Sequence, residues 1–405
     1  MPLQIGDKVS VEWTENGSSE KSRGRVIDTK ERPGKKTRYH LKFRDGSKQW
    51  LSQKHITHYE ILKRKKEENG KKSENASKRA KDTKGKGQIP DFRRILAPMV
   101  GASELPFRLL CRKYGATLAY TPMINSERFV LDEEYRAQEF QTCSEDHPLV
   151  AHFSANNPHI FLAAAKLVQD SCEAIDLNLG CPQRVAFQGH YGSFLLDEKD
   201  RKLVLSMVNT VSQNISIPLF VKIRLLDSVA ETIRLVTQLR DAGAALVAIH
   251  ARYRVNLVER SGPGARDGPA HLNQVKEIRA AVPGVVIISN GNVRCHEDCE
   301  ENVSYTGADG VMTAEGILDN PQIFVPPADQ KATLEIATEY LDLVEMYPTK
   351  LRTVVFHIRY VQQCHQQLDP ETPLTYYLPF SPPGVHLKKI FSSFSLWMFA
   401  LLLRL

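Results

Sequence analysis

Between residues 93 and 315 short apolar runs recur along the chain, and between them apolar residues return every three or four positions. The runs are RRILAPMV (93–100), LAYTPMI (118–124), PLVAHFSA (148–155), AIDLNLGCP (174–182), PLFVKIRL (218–225), LVAIHAR (246–252), VVIISNGNV (285–293) and GVMTAE (310–315). Runs of this kind read as strands buried on both faces, and segments such as 158–170, 199–214 and 228–242 read as amphipathic helices. Strand and helix alternating eight times predict an α/β fold, a (β/α)8 TIM barrel over residues 92–330. Such a barrel carries its chemistry at the C-terminal ends of its strands. Polar or reactive residues gather at those ends here: Met99, Asn178, Cys181, Lys222, Arg224, His250, Arg252, Asn290, Asn292 and Glu315. Beyond the last run the helical period continues alone, which predicts a short C-terminal helical region over 331–405 with an apolar tail.

Residues 1–60 follow a different pattern. DKVSVEW (7–13) alternates apolar and polar positions, and Arg23–Lys30, Thr37–Arg44 and Lys48–Leu51 follow, separated by turns such as RPGKK. Short strands between turn signals predict a small N-terminal all-β, SH3-like barrel. IGDKVSVEW, GRVIDTK and YHLKFRDGSKQWL resemble Tudor and chromo-barrel modules. Trp13, Tyr39, Phe43 and Trp50 have two readings: an aromatic cage for a methylated or basic peptide, or the core of a tiny domain. Residues 61–91 form a linker with almost no apolar content, which predicts disorder. Within it, 63–86 hold eleven Lys/Arg and four Asp/Glu, a surplus equal to the whole chain's net charge of +7. KRKK (63–66) and KRAK (78–81) suit nuclear import, RNA phosphates or a solvated spacer.

The composition, 42% hydrophobic and 25% charged, is that of a soluble protein. The opening MPLQIGDKVSVEW lacks the apolar stretch of a secretory leader. The seven cysteines are scattered with no CxxC pair, so neither a zinc site nor a disulfide framework is expected. A reducing compartment follows, cytoplasmic and/or nuclear, with every cysteine but Cys181 expected as a small buried hydrophobe. The run 390–403 (IFSSFSLWMFALLL) would rise only about 21 Å as a helix, short of the roughly 30 Å bilayer core, so no membrane association is expected. No GxGxxG leads from a strand into a helix, so a Rossmann dinucleotide site is not expected.

The fourth run ends in Asp176-Leu177-Asn178-Leu179-Gly180-Cys181-Pro182. Gly180 and Pro182 bracket Cys181 in a turn on the catalytic rim, where a cysteine can act as acid or nucleophile. A free thiol, with a pKa of roughly 8.5, is mostly protonated near neutrality.

APMVGASELPFRLL, YTPMI, DLNLGCPQ, GHYGSFLL, VKIRL, SNGNV and GVMTAEGILDNPQIF occur in that order over 93–367. Together they resemble the tRNA-dihydrouridine synthases, and DLNLGCPQ with GHYG and AEG resembles a eukaryotic branch of them. The resemblance implies noncovalent FMN, NADPH or NADH as reductant and tRNA as partner; separately, a monomer is expected. It implies that Pro98, Met99 and Val100 lie against the flavin and that Lys222 and His250 reach its ring or substrate face. It implies that Asn290, Gly291, Asn292, Ala314 and Glu315 hold the phosphate end, and it leaves Asn178, Arg224 and Arg252 for substrate. Cys181 would then protonate C5 of uracil after C6 receives a hydride. The phosphate assignment agrees with the usual anion site of the fold, the loops after strands seven and eight. Three positions depart from the family: His152 in place of a cofactor-binding Gln, Tyr253 in place of Thr, and Ser193 in place of Ala. Two other functions are compatible with the sequence, a non-catalytic RNA- or chromatin-binding reader and another FMN-dependent small-molecule oxidoreductase.

Overall fold

The computed structural model describes residues 90–254 and 268–368, together with strand segments between residues 8 and 63. Those segments are β1 (Lys8–Glu15), β2 (Ser18–Arg32), β3 (Lys35–Phe43), β4 (Lys48–Ser52) and β5 (Ile56–Lys63). They pair antiparallel in the order β4-β3-β2-β1-β5. β5 was not expected from the sequence and extends into the stretch read as linker, because no turn residue separates ITHYEILK from the lysine run. The rest of the linker, residues 64–89, and the apolar tail, 369–405, lie outside the described residues.

The remaining strands are β6 (Arg94–Leu96), β7 (Leu118–Tyr120), β8 (Ile124–Asn125), β9 (Leu149–Ser154), β10 (Ala174–Leu179), β11 (Leu219–Leu225), β12 (Leu246–Tyr253), β13 (Val286–Asn290) and β14 (Gly310–Thr313). All pair in parallel. With β8 as a short spur on β9, the other eight close on themselves through β9–β10 and β14–β6. The eight strands match the eight apolar runs, and the fold is a closed parallel barrel with helices outside. Several of the helices start where the sequence supplies a capping side chain. Asn157 accepts from the His159 and Ile160 N–H groups, with Pro158 in the first turn, and Ser228 does the same for Glu231.

Strand side chains alternate between two cores. Inside the barrel lie Ile95, Ala97, Leu118, Tyr120, Val150, Ala174, Phe220, Leu246, Ala248, Ile288 and Met312. The intervening positions, such as Ile175, Leu177, Val221, Ile223, Val247 and Ile249, pack against helix residues including Phe161, Met207, Val208, Leu235 and Leu239. The interior plug is apolar, so polar side chains on the inward rows find room only above it.

The helices Thr333–Met346 and Leu351–Leu368 dock on the helix Leu105–Lys113. Phe107 stacks on His357 with ring centroids 4.1 Å apart. Glu104 takes the Tyr340 hydroxyl at 2.8 Å and His357 Nε2 at 3.2 Å. Burial works to raise the Glu104 pKa, but the bonds and charge of His357 and Tyr340 outweigh it, and the carboxyl lies below its usual range. Among the described residues no helix is long and apolar enough to cross a membrane. The cysteines correct one expectation: Cys111, Cys172 and Cys299 are buried, but Cys143 is half-buried and Cys295 is exposed. Cys295 sits at the start of the helix His296–Thr306, where its backbone N–H donates to Asp298, and a helix start on the barrel exterior faces water.

One charged cluster is sealed into the fold. Asp146 is fully buried, and Arg108 reaches it at 2.6 Å and Arg112 at 3.1 Å. Arg108 also donates to the carbonyls of Ser103 and Gln141, so the cluster ties the loop after β6 to the loop before β9. Removing one partner of a buried ion pair leaves an uncompensated charge and costs about 3–5 kcal/mol. Asp146→Ala is therefore expected to lose stability on that scale in urea unfolding, and a loss below about 1 kcal/mol would contradict this view of the cluster.

Candidate active site

The inward rows end in polar groups at the C-terminal rim, and the strand register sets them side by side. His152 pairs with Asp176, Asn178 with Lys222, Arg224 with His250, and His250 with Asn290, which in turn pairs with Met312. All of these but the fully buried Asp176 line a cavity of about 1390 Å³ whose walls include Pro98, Met99, Val100, Cys181, Arg252, Gly291, Asn292, Ala314 and Glu315. Every site residue singled out from the sequence lines this one cavity.

The loop after β10 carries Cys181 and is held from several sides. Asn178 Oδ1 accepts the N–H groups of Gly180 and Cys181 at 2.9 and 3.0 Å. The Ser193 hydroxyl and N–H both donate to the Cys181 carbonyl, at 3.0 and 3.1 Å. Arg224, 1% exposed, donates to the Gly180 carbonyl at 3.0 Å and to the Tyr253 carbonyl at 2.9 Å. Gly192 has φ of +67°, and a Cβ there would lie 2.8 Å from the Cys181 carbonyl oxygen. Only glycine lets the chain pass so close behind the cysteine. Asn178 and Arg224 thus line the cavity while their polar atoms hold the loop. His152 is similar: its ring nitrogens face Asp176 at 2.6 Å and Asn178 at 2.9 Å.

The opposite corner is built from the loops after β13 and β14. Gly291 has φ of +140°, and a Cβ there would meet Ala270 Cβ at 2.9 Å and Arg252 Nη1 at 3.1 Å. Arg252 donates to Asn292 Oδ1 at 3.1 Å and to the Gly268 carbonyl at 2.8 Å, and its Nη1 lies 3.2 Å from His250 Nε2. Asn290 donates to the Met312 carbonyl and Asn302 to the Gly291 carbonyl, both at 2.9 Å. The sequence reading missed the outer wall, formed by Arg294, Asn320, Gln322, Gln330, Lys331 and Tyr360. Gln322 and Lys331 exchange side-chain-to-backbone bonds of 2.7 and 3.0 Å there. The NPQ of DNPQIF was the available signal; Gln330, Lys331 and Tyr360 carry none, because tertiary packing alone brings them to the rim.

Burial and crowding of positive charge shape the electrostatics. His250 is held well below its usual pKa by burial and then by Lys222, Arg224 and Arg252, so its ring is neutral near neutrality. Burial, and then Arg224, bring Lys222 down to about 8. Burial raises the Asp176 carboxyl, opposed by His152 and Lys222. A cationic, partly dehydrated chamber of this kind binds anions and stabilises developing negative charge.

The sequence matches the model of the family described as Dihydrouridine synthase (Dus) over residues 95–370. It is similar to the protein of Mus musculus named tRNA-dihydrouridine(16/17) synthase [NAD(P)(+)]-like, 42% identical over 285 residues, covering 69% of this chain and 58% of that one. The tRNA-dihydrouridine(16/17) synthase of Saccharomyces cerevisiae is 43% identical over 235 residues, 57% of this chain and 54% of that one. A tRNA-dihydrouridine(20a/20b) synthase-like protein of Mus musculus is 34% identical over 273 residues, 67% of this chain and 80% of that one. The chain therefore spans somewhat more than half the length of the first two relatives.

Lys222 offers a direct check on the chamber's electrostatics. Its ordinary pKa is roughly 10.4, against about 8 when folded. At pH 7 both folded and unfolded chains hold the proton, and the folded protein carries the whole cost of the buried ammonium. From about pH 8 upward the folded protein releases a proton that the unfolded chain retains, so stability rises with pH. Lys222→Met is expected to stabilise the protein at pH 7 by on the order of 1–3 kcal/mol, with the advantage shrinking by pH 10. Destabilisation at pH 7, or the same difference at both pH values, would contradict this.

Proposed function

Because the chain belongs to the dihydrouridine synthase family, we propose that it is an FMN-dependent, NAD(P)H-driven reductase that hydrogenates the C5–C6 bond of uridine in the D-loop of tRNA. The observation that carries this reading is the convergence of Cys181 and the cofactor-matched residues on one cavity at the barrel's C-terminal rim. The cavity exceeds the roughly 300–1,000 Å³ of an ordinary small-molecule site, which leaves room for a cofactor and a flipped base together.

The residues present fit FMN. Gly291 leaves no room for a Cβ, the arrangement expected where backbone approaches a phosphate closely. Asn290, Asn292, Ala314 and Glu315 complete that corner, with the Arg252 guanidinium beside it. Pro98, Met99 and Val100 supply an apolar surface for a flat ring, and the Met99 backbone is braced by Ser103, which accepts from its N–H at 3.0 Å. Lys222 and neutral His250 line the same cavity and would supply donor groups to the ring. FMN, when bound, would supply the hydride, itself replenished by NAD(P)H. The chain's own part is to hold the uracil, exclude water and deliver a proton to C5 from Cys181 Sγ.

The partner is tRNA, in keeping with the names of the relatives. The basic linker would add sequence-indifferent phosphate contacts. We further propose that residues 1–60, whose strands pair in the antiparallel order β4-β3-β2-β1-β5, form an SH3-like, Tudor-like module, its aromatics serving either as its core or as a cage for a methylated or basic peptide. The organisation we propose is that module, a linker over 61–91, the FMN-binding barrel over 92–330 and a helical region over 331–405, acting as a monomer in cytoplasm and/or nucleus.

A missing general acid slows a reaction about 100- to 10,000-fold. Cys181→Ala is expected to retain FMN and slow NADPH oxidation while losing dihydrouridine formation on that scale, read by mapping dihydrouridine in tRNA. Near-normal dihydrouridine formation by the variant would remove Cys181 from the role.

A further inference from the structure

The Cys181 loop hangs from a hydrogen-bond chain whose polarity the backbone dictates. Gly180 and Cys181 direct their N–H groups at Asn178 Oδ1. A backbone N–H can only donate, so that end of the Asn178 amide is its carbonyl. The other end is therefore the NH2, which stands 2.9 Å from His152 Nε2 and 3.1 Å from Met123 Sδ. An NH2 can only donate, so His152 Nε2 must be the bare, accepting nitrogen. The ring then carries its one proton on Nδ1 and donates it to Asp176 Oδ2 at 2.6 Å. His152 is 1% exposed and Asp176 0%, so water does not compete for these bonds. The other groups around the ring leave this assignment intact. Tyr120 packs edge-on at 5.9 Å, the Thr121 hydroxyl accepts from the His152 backbone, and burial raises the Asp176 carboxyl while the charges of His152 and Lys222 oppose that rise.

We propose that Asp176 and His152 are positioning residues for Cys181: the carboxylate fixes the His152 tautomer, and the tautomer fixes the Asn178 amide in the one orientation that offers its carbonyl to the Cys181 loop. The opposite tautomer, or an imidazolium, would set N–H against N–H at Asn178. The amide would then turn over, and the loop's two N–H groups would lose their acceptor. The consequence for turnover rests on the reading of Cys181 as proton donor; the chain itself does not.

Long-range 15N–1H spectra of the full-length protein, with the His152 signals assigned by their loss in His152→Gln, are expected to show a protonated Nδ1 and a bare Nε2 at neutral pH. An Nε2–H tautomer or an imidazolium overturns the proposal. Amide exchange over residues 174–190 supplies a second readout. His152→Leu is expected to speed exchange of the Gly180 and Cys181 N–H groups roughly tenfold, the value of one lost hydrogen bond. Asp176→Asn, whose side-chain carbonyl still accepts from Nδ1, is expected to change it little. Equal acceleration in both variants, or in neither, overturns the proposal. His152→Leu is also expected to lower kcat for dihydrouridine formation with KM for tRNA nearly unchanged, and a pure KM effect counts against positioning. If the wild-type protein makes no dihydrouridine, the proposed function fails while tautomer and exchange still decide the positioning claim.

Discussion

The two-residue period of a closed barrel governs this molecule. Side chains on each strand face inward at every second position, and closure gives all eight strands one shared interior. Phe220, Tyr120, Leu118, Ile288 and their neighbours fill its lower part with apolar atoms. The same inward rows continue upward as His152, Asp176, Asn178, Lys222, Arg224, His250 and Asn290. A shift of one residue in any strand would turn its polar group into the helix layer and its apolar group into the chamber. The site is therefore a consequence of register before it is a consequence of any single contact.

Burying so many ionisable groups in one chamber opposes stability, and the fold compensates in two ways. Some groups are tied to the backbone or to each other, as Arg224 is to the Gly180 and Tyr253 carbonyls and His152 is to Asp176. Others keep the strain as a displaced pKa: Lys222 drops to about 8 and His250 loses its proton. Displaced titrations of this sort gather where chemistry is done. The Arg108–Asp146–Arg112 cluster is the contrast, because its charges are paired and bonded to carbonyls and none of the three lines the cavity. It fastens loops instead of meeting a ligand.

Much of this was legible in the sequence, for a physical reason. Strands buried on both faces show as continuous apolar runs, so a polar residue that interrupts one near its end, as Lys222 does in PLFVKIRL, stands out. The rim residues were found this way and through the motifs around them. What individual polar atoms do was not legible. Asn178 and Arg224 were expected to face substrate and do line the cavity; that their hydrogen bonds also support the Cys181 loop is set by turn geometry that no spacing encodes. The wall from Gln322 to Lys331 and Tyr360 was also missed, because it depends on how the C-terminal helices dock against Phe107 and Glu104. β5 escaped because its end is marked by charge alone.

The central claim is that the polar tier above the apolar plug is a flavin mononucleotide site. Unfolding the purified full-length chain and identifying the chromophore it releases tests that claim most directly. The account requires FMN, close to one per chain, with loss of it when the Gly291 corner is blocked by Gly291→Val. Release of FAD, or of no flavin from a fully folded sample, would contradict it.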